Sequence, residues 1–215
     1  MDLALREELF LNFPDLRNLD NLNDFLESLD WENGVVCEII GGQIFMQSPP
    51  LPHRNHGTAS QNMWGSFWYY LRAKGGPCRI SFDKTAQLRL DLMDEETKKN
   101  VPEANKKDRL VPDMMIVCDR SIDKIEGITG APALIAEVLS PRTAKNDEGV
   151  KKDIYEALGV GEYWIVDYAK KTVKIFVLQE GKYKLWKTPE QGEDFAPRSF
   201  PDLAINTDEI FDDLF

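Results

Sequence analysis

VPDMMIVC at residues 111–118 and ALIAEVL at residues 133–139 are two near-continuous apolar runs in a chain of 215 residues. Runs of this length are typical of β-strands that are covered on both faces, because a strand with one wet face alternates apolar and polar residues. We therefore predict that the two runs form neighbouring central strands of a sheet that is flanked by helices.

Each of these runs contains one carboxylate, Asp113 in the first and Glu137 in the second. Burying an unpaired carboxylate costs several kcal/mol, so such a group usually has a partner. A divalent cation can serve two carboxylates at once, and oxygen ligands favour Mg²⁺, Mn²⁺ or Ca²⁺. Glu38 is a third carboxylate in a β-type apolar run. The alternative is that each carboxylate pairs with an Arg or a Lys, or lies at a strand end in water.

A hairpin and a long helix are predicted before the central strands. Residues 35–47 contain two β-type runs joined by Gly41-Gly42, which is a strong hairpin signal. From His56 to about Ala73, apolar residues recur every four positions, and this spacing indicates an amphipathic helix.

The order of the other elements indicates a mixed α/β (α+β) fold without internal repeats. These elements are a short capped helix at 23–29, strands at 78–82 and 86–90, a long exposed loop at 94–109, a helix at 148–158, and strands at 163–166, 173–178 and 183–186. The predicted organisation is an N-terminal extension (1–22), one domain (23–190) and an acidic C-terminal tail (191–215).

Lys151 lies on the predicted helix that follows Glu137. With Val150 at the centre of the apolar stripe, a turn of 100° per residue places Lys151 at about 100° and Lys152 at about 200°. Lys151 therefore borders the buried face, where it could orient a water nucleophile or steady the charge of a phosphate. The alternative is a pair of ordinary helix contacts, from Asp147 to Lys151 and from the next acidic residue to Lys152.

The chain has a formal net charge of −11, which argues against binding nucleic acid through phosphate neutralisation alone. The acidic excess lies in residues 1–60 and 201–215, so the middle of the chain is near neutral. Basic clusters at 98–99, 106–109 and 170–174 are either local phosphate contacts or solvated loops.

Cysteine usage and the N-terminal sequence predict a cytoplasmic protein. Cys37, Cys78 and Cys118 are odd in number and widely spaced, so neither a disulfide framework nor a zinc knuckle is expected. The N-terminus lacks a basic and apolar leader, and no apolar run is long enough to span a bilayer.

Several common catalytic motifs are absent from the sequence, among them the phosphate-binding loop, the dinucleotide fingerprint, the HExxH zinc motif and the GxSxG elbow. The chain has two histidines, His53 and His56, and no serine stands out as a nucleophile for a Ser-His-Asp triad.

A specific pattern runs through the second half of the chain. It consists of Pro112-Asp113, Glu137-Val138-Leu139-Ser140-Pro141, Asp147, Lys151, Tyr155, Gly159-Val160 and the segment from Glu162 to Asp167. In the first half, the segment from Cys37 to Ile44 and the residues Ser48-Pro49-Pro50 with His56 complete it. This pattern resembles the Uma-type restriction endonuclease family of the PD-(D/E)XK nuclease superfamily, from about Asp24 to about Trp186.

The resemblance implies a restriction-endonuclease-like core, a mixed central β-sheet flanked by helices with an N-terminal β-hairpin. It also implies that Asp113, Glu137 and the Val138 carbonyl hold Mg²⁺ or Mn²⁺. The lysine that the superfamily carries two residues after the glutamate is replaced by Leu139, and Lys151 matches the family's migrated lysine. His56 is a further candidate metal ligand or phosphate contact, and Glu38 on the hairpin is a lower-ranked site residue.

The implied reaction is the hydrolysis of DNA phosphodiester bonds, with the metal ion as the cofactor. Two alternatives stay open: a non-catalytic nucleic-acid or protein-binding module that retains the fold, and a phosphodiesterase that acts on RNA or nucleotides. A homodimer is expected as a possible assembly, and no membrane partner is expected.

Overall fold

A computed structural model describes residues 36–47, 54–82 and 87–214. The predicted helix at 23–29 lies outside these residues. The helices are α1 (Arg54–Lys74), α2 (Ala144–Glu148), α3 (Val150–Leu158) and α4 (Thr207–Ile210). Within the described ranges, none of them combines the length and the apolar character that crossing a bilayer requires.

The strands in the described residues are two to eight residues long. They are β1 (Val36–Ile40), β2 (Gln43–Gln47), β3 (Arg79–Phe82), β4 (Leu88–Arg89), β5 (Arg109–Leu110), β6 (Met114–Val117), β7 (Asp123–Lys124), β8 (Gly127–Ile128), β9 (Leu134–Val138), β10 (Glu162–Asp167), β11 (Thr172–Gln179), β12 (Lys182–Lys187), β13 (Asp194–Phe195) and β14 (Ile205–Asn206).

Two six-stranded mixed sheets organise the described residues. The central sheet has the order β12-β11-β10-β9-β6-β3, and the hairpin sheet has the order β2-β1-β5-β4-β8-β7. In the central sheet β9 runs parallel to β10 and antiparallel to β6. The prediction that the two apolar runs are neighbouring central strands is therefore confirmed, and so is the mixed α/β class.

Both faces of the central sheet are buried, as its apolar runs predict. Because side chains alternate along a strand, Met114 and Ile116 of β6 face α1, whereas Met115 and Val117 face the other side. On that other side lie α3 and the hairpin sheet. Glu137 follows Ile135 on the same alternation, so its side chain is directed towards α3 and the hairpin sheet.

The predicted hairpin is confirmed at β1 and β2, and the turn between them packs against the protein. Gly41 and Gly42 have φ of 58° and 73°, which suits a two-residue turn with both central residues in the left-handed region. The Asp108 carboxylate accepts the Gly41 amide at 2.8 and 2.9 Å and the Asn105 side-chain amide at 2.7 Å. These hydrogen bonds fix the hairpin relative to the strands that follow.

The segment 94–109 differs from the predicted long exposed loop. It folds into consecutive turns and a short 3₁₀ helix, Glu103–Asn105, before β5. Val101 is buried, and Lys98 is buried with its Nζ 3.3 Å from the Leu90 and Lys106 carbonyl oxygens. The composition of a charged stretch does not reveal that its backbone carbonyls can satisfy a buried lysine.

Residues 191–214 add to the core through a set of apolar side chains that pack with α1 and the central sheet: Phe195, Phe200, Leu203, Ile205, Ile210 and Phe211. Glu162, fully buried at the start of β10, accepts the backbone amides of Arg198 and Ser199 at 3.2 and 2.8 Å and the Trp164 indole at 2.8 Å. These three hydrogen bonds satisfy a carboxylate that burial would otherwise penalise.

The cysteine spacing predicts no disulfide framework, but two of the cysteines are joined. Cys78 and Cys118 form a disulfide. Arg79 of β3 pairs with Val117 of β6, so the residues just outside this pair lie opposite each other. The two cysteines are 40 residues apart in sequence, and only the antiparallel pairing of the two strands brings them together.

Removing this disulfide, by Cys78→Ser with Cys118→Ser, is expected to lower the free energy of unfolding by about 2–4 kcal/mol, because the crosslink closes a long loop in the unfolded chain. Urea denaturation measures the change. Under denaturing conditions without reductant, thiol titration should detect one thiol in the wild type, and detection of three would contradict the pairing.

Candidate active site

The two carboxylates of the central strands meet through reciprocal backbone hydrogen bonds. Asp113, just before β6, accepts the Val138 amide at its Oδ2, 2.7 Å away. The Asp113 amide in turn donates to Glu137 Oε2 at 3.3 Å. Because β6 and β9 are antiparallel neighbours, the start of β6 lies beside the end of β9. Asp113 and Glu137 converge at this end of the two strands.

Lys151 is the cation of the site. Its Nζ lies 2.5 Å from Glu137 Oε1, 2.9 Å from Glu38 Oε1 and 3.5 Å from Asp147 Oδ1. The lysine side chain is 2% exposed, although the helical wheel places it only at the border of the buried face. Lys151 therefore contacts both the predicted glutamates and the predicted helical partner Asp147, so the two sequence interpretations are not exclusive.

Glu38 reaches the site from the hairpin sheet. Its Oε1 accepts the Val111 amide at 2.8 Å as well as facing Lys151. Val111 is two residues before Asp113, so one carboxylate oxygen links the lysine to the segment that carries a second carboxylate. The structure thus brings Glu38 to the lysine.

His56 lies on the first turn of α1, on the opposite face of the central sheet from α3. Its Nε2 is 3.4 Å from Asp113 Oδ2, and it also makes a hydrogen bond to the backbone of Val138. The structure therefore places His56 against two of the groups that the sequence pattern implicates in metal binding.

Two contributors had no role assigned from sequence beyond helix pairing or family resemblance. Tyr155 donates its hydroxyl to Glu137 Oε1 at 2.8 Å, and Asp147 is buried beside Lys151. The signal that could have found them is the spacing, since Asp147, Lys151 and Tyr155 follow one another at intervals of four residues and so share one helical face.

A glycine at the junction of α2 and α3 allows this helical face to bend. A Cβ on Gly149 would lie 2.8 Å from the Lys145 carbonyl oxygen, a distance at which the backbone must shift. The close approach lets Asp147 at the end of α2 and Lys151 at the start of α3 both lie under the central sheet.

Burial dominates the electrostatics of Glu137 and Asp147. It raises the pKa of Glu137 well above its usual range, and the neighbouring carboxylates add to the rise while Lys151 opposes it. It also raises the pKa of Asp147 to about 6. For Lys151, burial favours the neutral amine, but Glu137, Glu38 and Asp147 outweigh it and hold the pKa well above its usual range. The lysine therefore stays charged at neutral pH.

Asp113 and His56 form the second charged pair of the site. Burial would raise the pKa of Asp113, but the attraction of His56 and the hydrogen bonds from His56 and Val138 hold it below its usual range. Burial would lower the pKa of His56, and Asp113 outweighs that effect and raises it. Asp113 is thus more readily ionised than Glu137 or Asp147.

The donor chemistry of the site suits a small divalent cation. Four carboxylates lie around one lysine and one histidine, so carboxylates outnumber cationic side chains, and a bound cation would favour the ionised forms of these carboxylates. The Asp113 side chain is 25% exposed, so an ion can reach it from solvent. Mg²⁺ commonly uses one or two carboxylates and keeps several waters. Within the described ranges, no three His, Cys, Asp or Glu side chains form a ready metal cage, so water ligands would complete the shell.

Two of the basic clusters predicted from sequence, at 98–99 and 106–109, lie among acidic side chains. Lys98 and Lys106 contact Glu95, and Lys99 contacts Glu96, so most of the lysines in these two clusters have a carboxylate partner. The predicted pair of Lys152 with Glu148 is wrong, because the Lys152 ammonium lies 3.9 Å from the centre of the Phe176 ring and Glu148 contacts Lys174 instead.

The fold is similar to that of a solved structure described as a nuclease. A crystal structure from Anabaena variabilis ATCC 29413, of a protein described as a "putative nuclease belonging to DUF820", matches with a TM-score of 0.62 and 16% sequence identity. The match covers 84% of this chain and 92% of that one. At this identity the likeness establishes the shared fold.

The chain belongs to the Uma2 family, whose model, described as "Putative restriction endonuclease", matches residues 22–208. No curated protein matches the chain. The family resemblance drawn from the sequence is therefore confirmed, and family and fold together indicate a nuclease.

Asp147→Asn is expected to stabilise the protein in a pH-dependent manner. Because burial raises the pKa of Asp147 to about 6 from 3.8, ionising this group in the folded state costs stability as the pH rises through that range. The gain in the variant should be below about 1 kcal/mol near pH 4 and about 3 kcal/mol above pH 7. Urea denaturation without divalent ions measures it, and a gain that does not change with pH would contradict the assignment.

Proposed function

We propose that this protein is a Mg²⁺-dependent endonuclease, also active with Mn²⁺, that hydrolyses phosphodiester bonds in DNA. The observation that carries the proposal is the buried Lys151 ammonium held against Glu137, next to the partly exposed Asp113. Membership of the Uma2 family and the nuclease-like fold support the same reaction class.

The proposed metal ligands are Asp113, Glu137 and the Val138 carbonyl, with water in the other positions. When bound, the ion would neutralise charge on the scissile phosphate and acidify the attacking water. Glu137 would be ionised in this state, since a divalent cation opposes the burial that raises its pKa.

Lys151 has the proposed role of orienting the water nucleophile. An ammonium group has three N–H donors, and the short contacts to Glu137 and Glu38 account for two of them. The third contact, to Asp147 at 3.5 Å, is long, so this donor can turn towards a water or a phosphate oxygen. The water oxygen would bond to phosphorus, the bridging P–O bond would break, and the leaving oxygen would take up a proton.

His56 has the proposed role of a phosphate contact. It lies against Asp113 and its pKa is raised, so it can carry the positive charge that a phosphate oxygen attracts. Tyr155 has no proposed contact with substrate, and its hydroxyl holds Glu137 in place.

The first test is cleavage of supercoiled plasmid, single-stranded DNA and RNA with Mg²⁺ or Mn²⁺. Asp113→Asn and Lys151→Gln should each lower the rate by a factor of about 10² or more, because each removes a charge at the reacting phosphate. The matched controls are Asp153→Asn and Lys152→Gln, which change α3 residues of the same types outside the site and should retain activity.

Calorimetry with Mn²⁺ makes the same test independent of substrate. Asp113→Asn should weaken Mn²⁺ binding, whereas Asp153→Asn should not. Absence of both cleavage and Mn²⁺ binding in the folded wild type would favour the alternative of a non-catalytic binding module. Cleavage confined to RNA or nucleotides would favour the phosphodiesterase alternative.

Glu38→Gln tests the proposed positioning of Lys151. The glutamine oxygen can still accept the Val111 amide, so the fold should persist, but the charge that holds the ammonium is lost. We expect kcat to fall by about 10–100-fold with little change in KM. Glu180→Gln, at an exposed turn, is the control, and an unchanged kcat in Glu38→Gln would exclude the positioning role.

The proposed catalytic domain is residues 23–190, with 1–22 as an extension and 191–215 as an acidic C-terminal segment. The segment 191–214 contributes Phe200 and Phe211 to the core, so the catalytic domain depends on it for packing. Limited proteolysis with mass spectrometry would locate the boundaries.

A homodimer is proposed as the assembly to test. β12 forms one edge of the central sheet, and Leu185 and Trp186 on it are exposed. An exposed edge strand offers unpaired backbone groups to a second copy. Light scattering coupled to size-exclusion chromatography would determine the mass in solution.

The proposed compartment is the cytoplasm, as in the sequence analysis. There, thiol reductants would act on the Cys78–Cys118 disulfide. Trapping free thiols in intact cells before lysis would report the state of this pair.

A further inference from the structure

Two segments next to the candidate active site are basic without any acidic residue, although the chain as a whole has a net charge of −11. Residues 139–146 contain Arg142 and Lys145, and residues 168–174 contain Lys170, Lys171 and Lys174. We call these two segments together the basic rim.

The parallel pairing of β9 and β10 places both parts of the basic rim at the end of the central sheet where Asp113 and Glu137 converge. Val138 pairs with Val166, and the Leu139 amide donates to the Val166 carbonyl at 2.8 Å. Both segments therefore leave the sheet at the strand ends beside Asp113.

Side-chain contacts connect the basic rim to the site and its two parts to each other. The Tyr168 ring lies edge-on to the His56 ring, with centroids 6.4 Å apart. Lys174 of the second segment contacts Glu148, just after the first segment, with 3.3 Å between Nζ and Oε1. The two segments thus lie next to each other at this end of the sheet, with Lys174 on the α3 side and Tyr168 on the His56 side.

Lys145 and Lys171 are the exposed charges of the basic rim that carry no compensation. Both are exposed, and in the described part of the chain neither has a carboxylate within ion-pair distance. Lys170 and Lys174 instead contact Asp167 and Glu148. The lysines at 98–99 and 106–109 differ from Lys145 and Lys171, because most of them contact nearby glutamates.

We propose that the basic rim binds the sugar-phosphate backbone of the nucleic acid on either side of the phosphate that is cleaved, with Lys145 and Lys171 as its principal contacts. The inference rests on the proposed nuclease function and adds the surface through which an acidic protein holds a polyanion. Such contacts fix the register of the substrate without reading its sequence. They also explain how binding can occur although the chain's total charge opposes it.

The test is the salt dependence of binding to a labelled DNA duplex in EDTA, where no metal-dependent cleavage occurs, for the wild type and for Lys145→Gln/Lys171→Gln. Loss of two phosphate contacts should lower the slope of log K against log salt concentration by about 2, and should weaken binding by about tenfold or more at 0.1 M salt. The control is Lys107→Gln/Lys124→Gln, which removes the same charge from two exposed lysines outside the basic rim.

A second measurement covers the case in which binding requires the metal. In Mg²⁺, the basic-rim variant should raise KM for cleavage by about tenfold while kcat at saturation stays near the wild-type value, because neither lysine touches the reacting phosphate.

The two hypotheses fail in different ways. Wild-type cleavage combined with equal slopes, affinities and KM values for the basic-rim variant and the control would overturn the basic rim and leave the nuclease function standing. A folded wild type that neither binds nor cleaves DNA or RNA would overturn the nuclease function, and the basic rim with it.

Discussion

The buried ammonium of Lys151 is the interaction on which the rest of the site depends. It contacts a glutamate from the hairpin sheet, Glu38, a glutamate from the central sheet, Glu137, and an aspartate from α2, Asp147. Three separate layers of the fold are thereby joined by one charge. Removing the lysine itself should cost about 3–5 kcal/mol, as is typical when one partner of a buried ion pair is lost, because the carboxylates around it would stay buried without compensation.

The same cluster holds more carboxylates than cationic side chains. Burial is the main cause of the raised pKa of Glu137 and of Asp147, and the neighbouring carboxylates add to it. Such a cluster is expensive to maintain for stability alone, since apolar residues of similar volume would pack without a desolvation cost. Its arrangement beside the solvent-accessible Asp113 is therefore better explained by chemistry than by folding.

The sheet topology determines which surface the site presents. Because β9 and β10 are parallel, the chain leaves both strands at the end of the sheet that holds the candidate site, and the loops that follow them lie side by side. α1 approaches the same end from the opposite face and brings His56 to Asp113. Residues of the candidate site therefore reach one place from both faces of the sheet, while the loops that follow β9 and β10 carry lysine and arginine side chains.

Much of the fold and the central part of the site could be predicted from the sequence. Near-continuous apolar runs identified β6 and β9, the Gly41-Gly42 pair identified the hairpin, and a carboxylate inside each apolar run identified Asp113 and Glu137. These features are local: strand burial, turn conformation and the cost of a buried charge each depend on a few consecutive residues.

Other features depend on which segments pair in space. The disulfide between Cys78 and Cys118 requires the antiparallel register of β3 and β6, and no spacing rule in the sequence reports that register. The charged stretch at 94–109 reads as exposed because composition does not reveal that Lys98 finds carbonyl partners.

The same limit applies to the site itself. The sequence by itself determined the strands, the helices and the carboxylates, because periodicity and local composition encode them. Only the tertiary structure decided that Glu38 joins Glu137 at the ammonium of Lys151, since Glu38 lies more than a hundred positions before the lysine. Contacts between residues that are distant in sequence depend on how the two sheets and the helices pack. The linear sequence pattern does not show which of these elements contact each other.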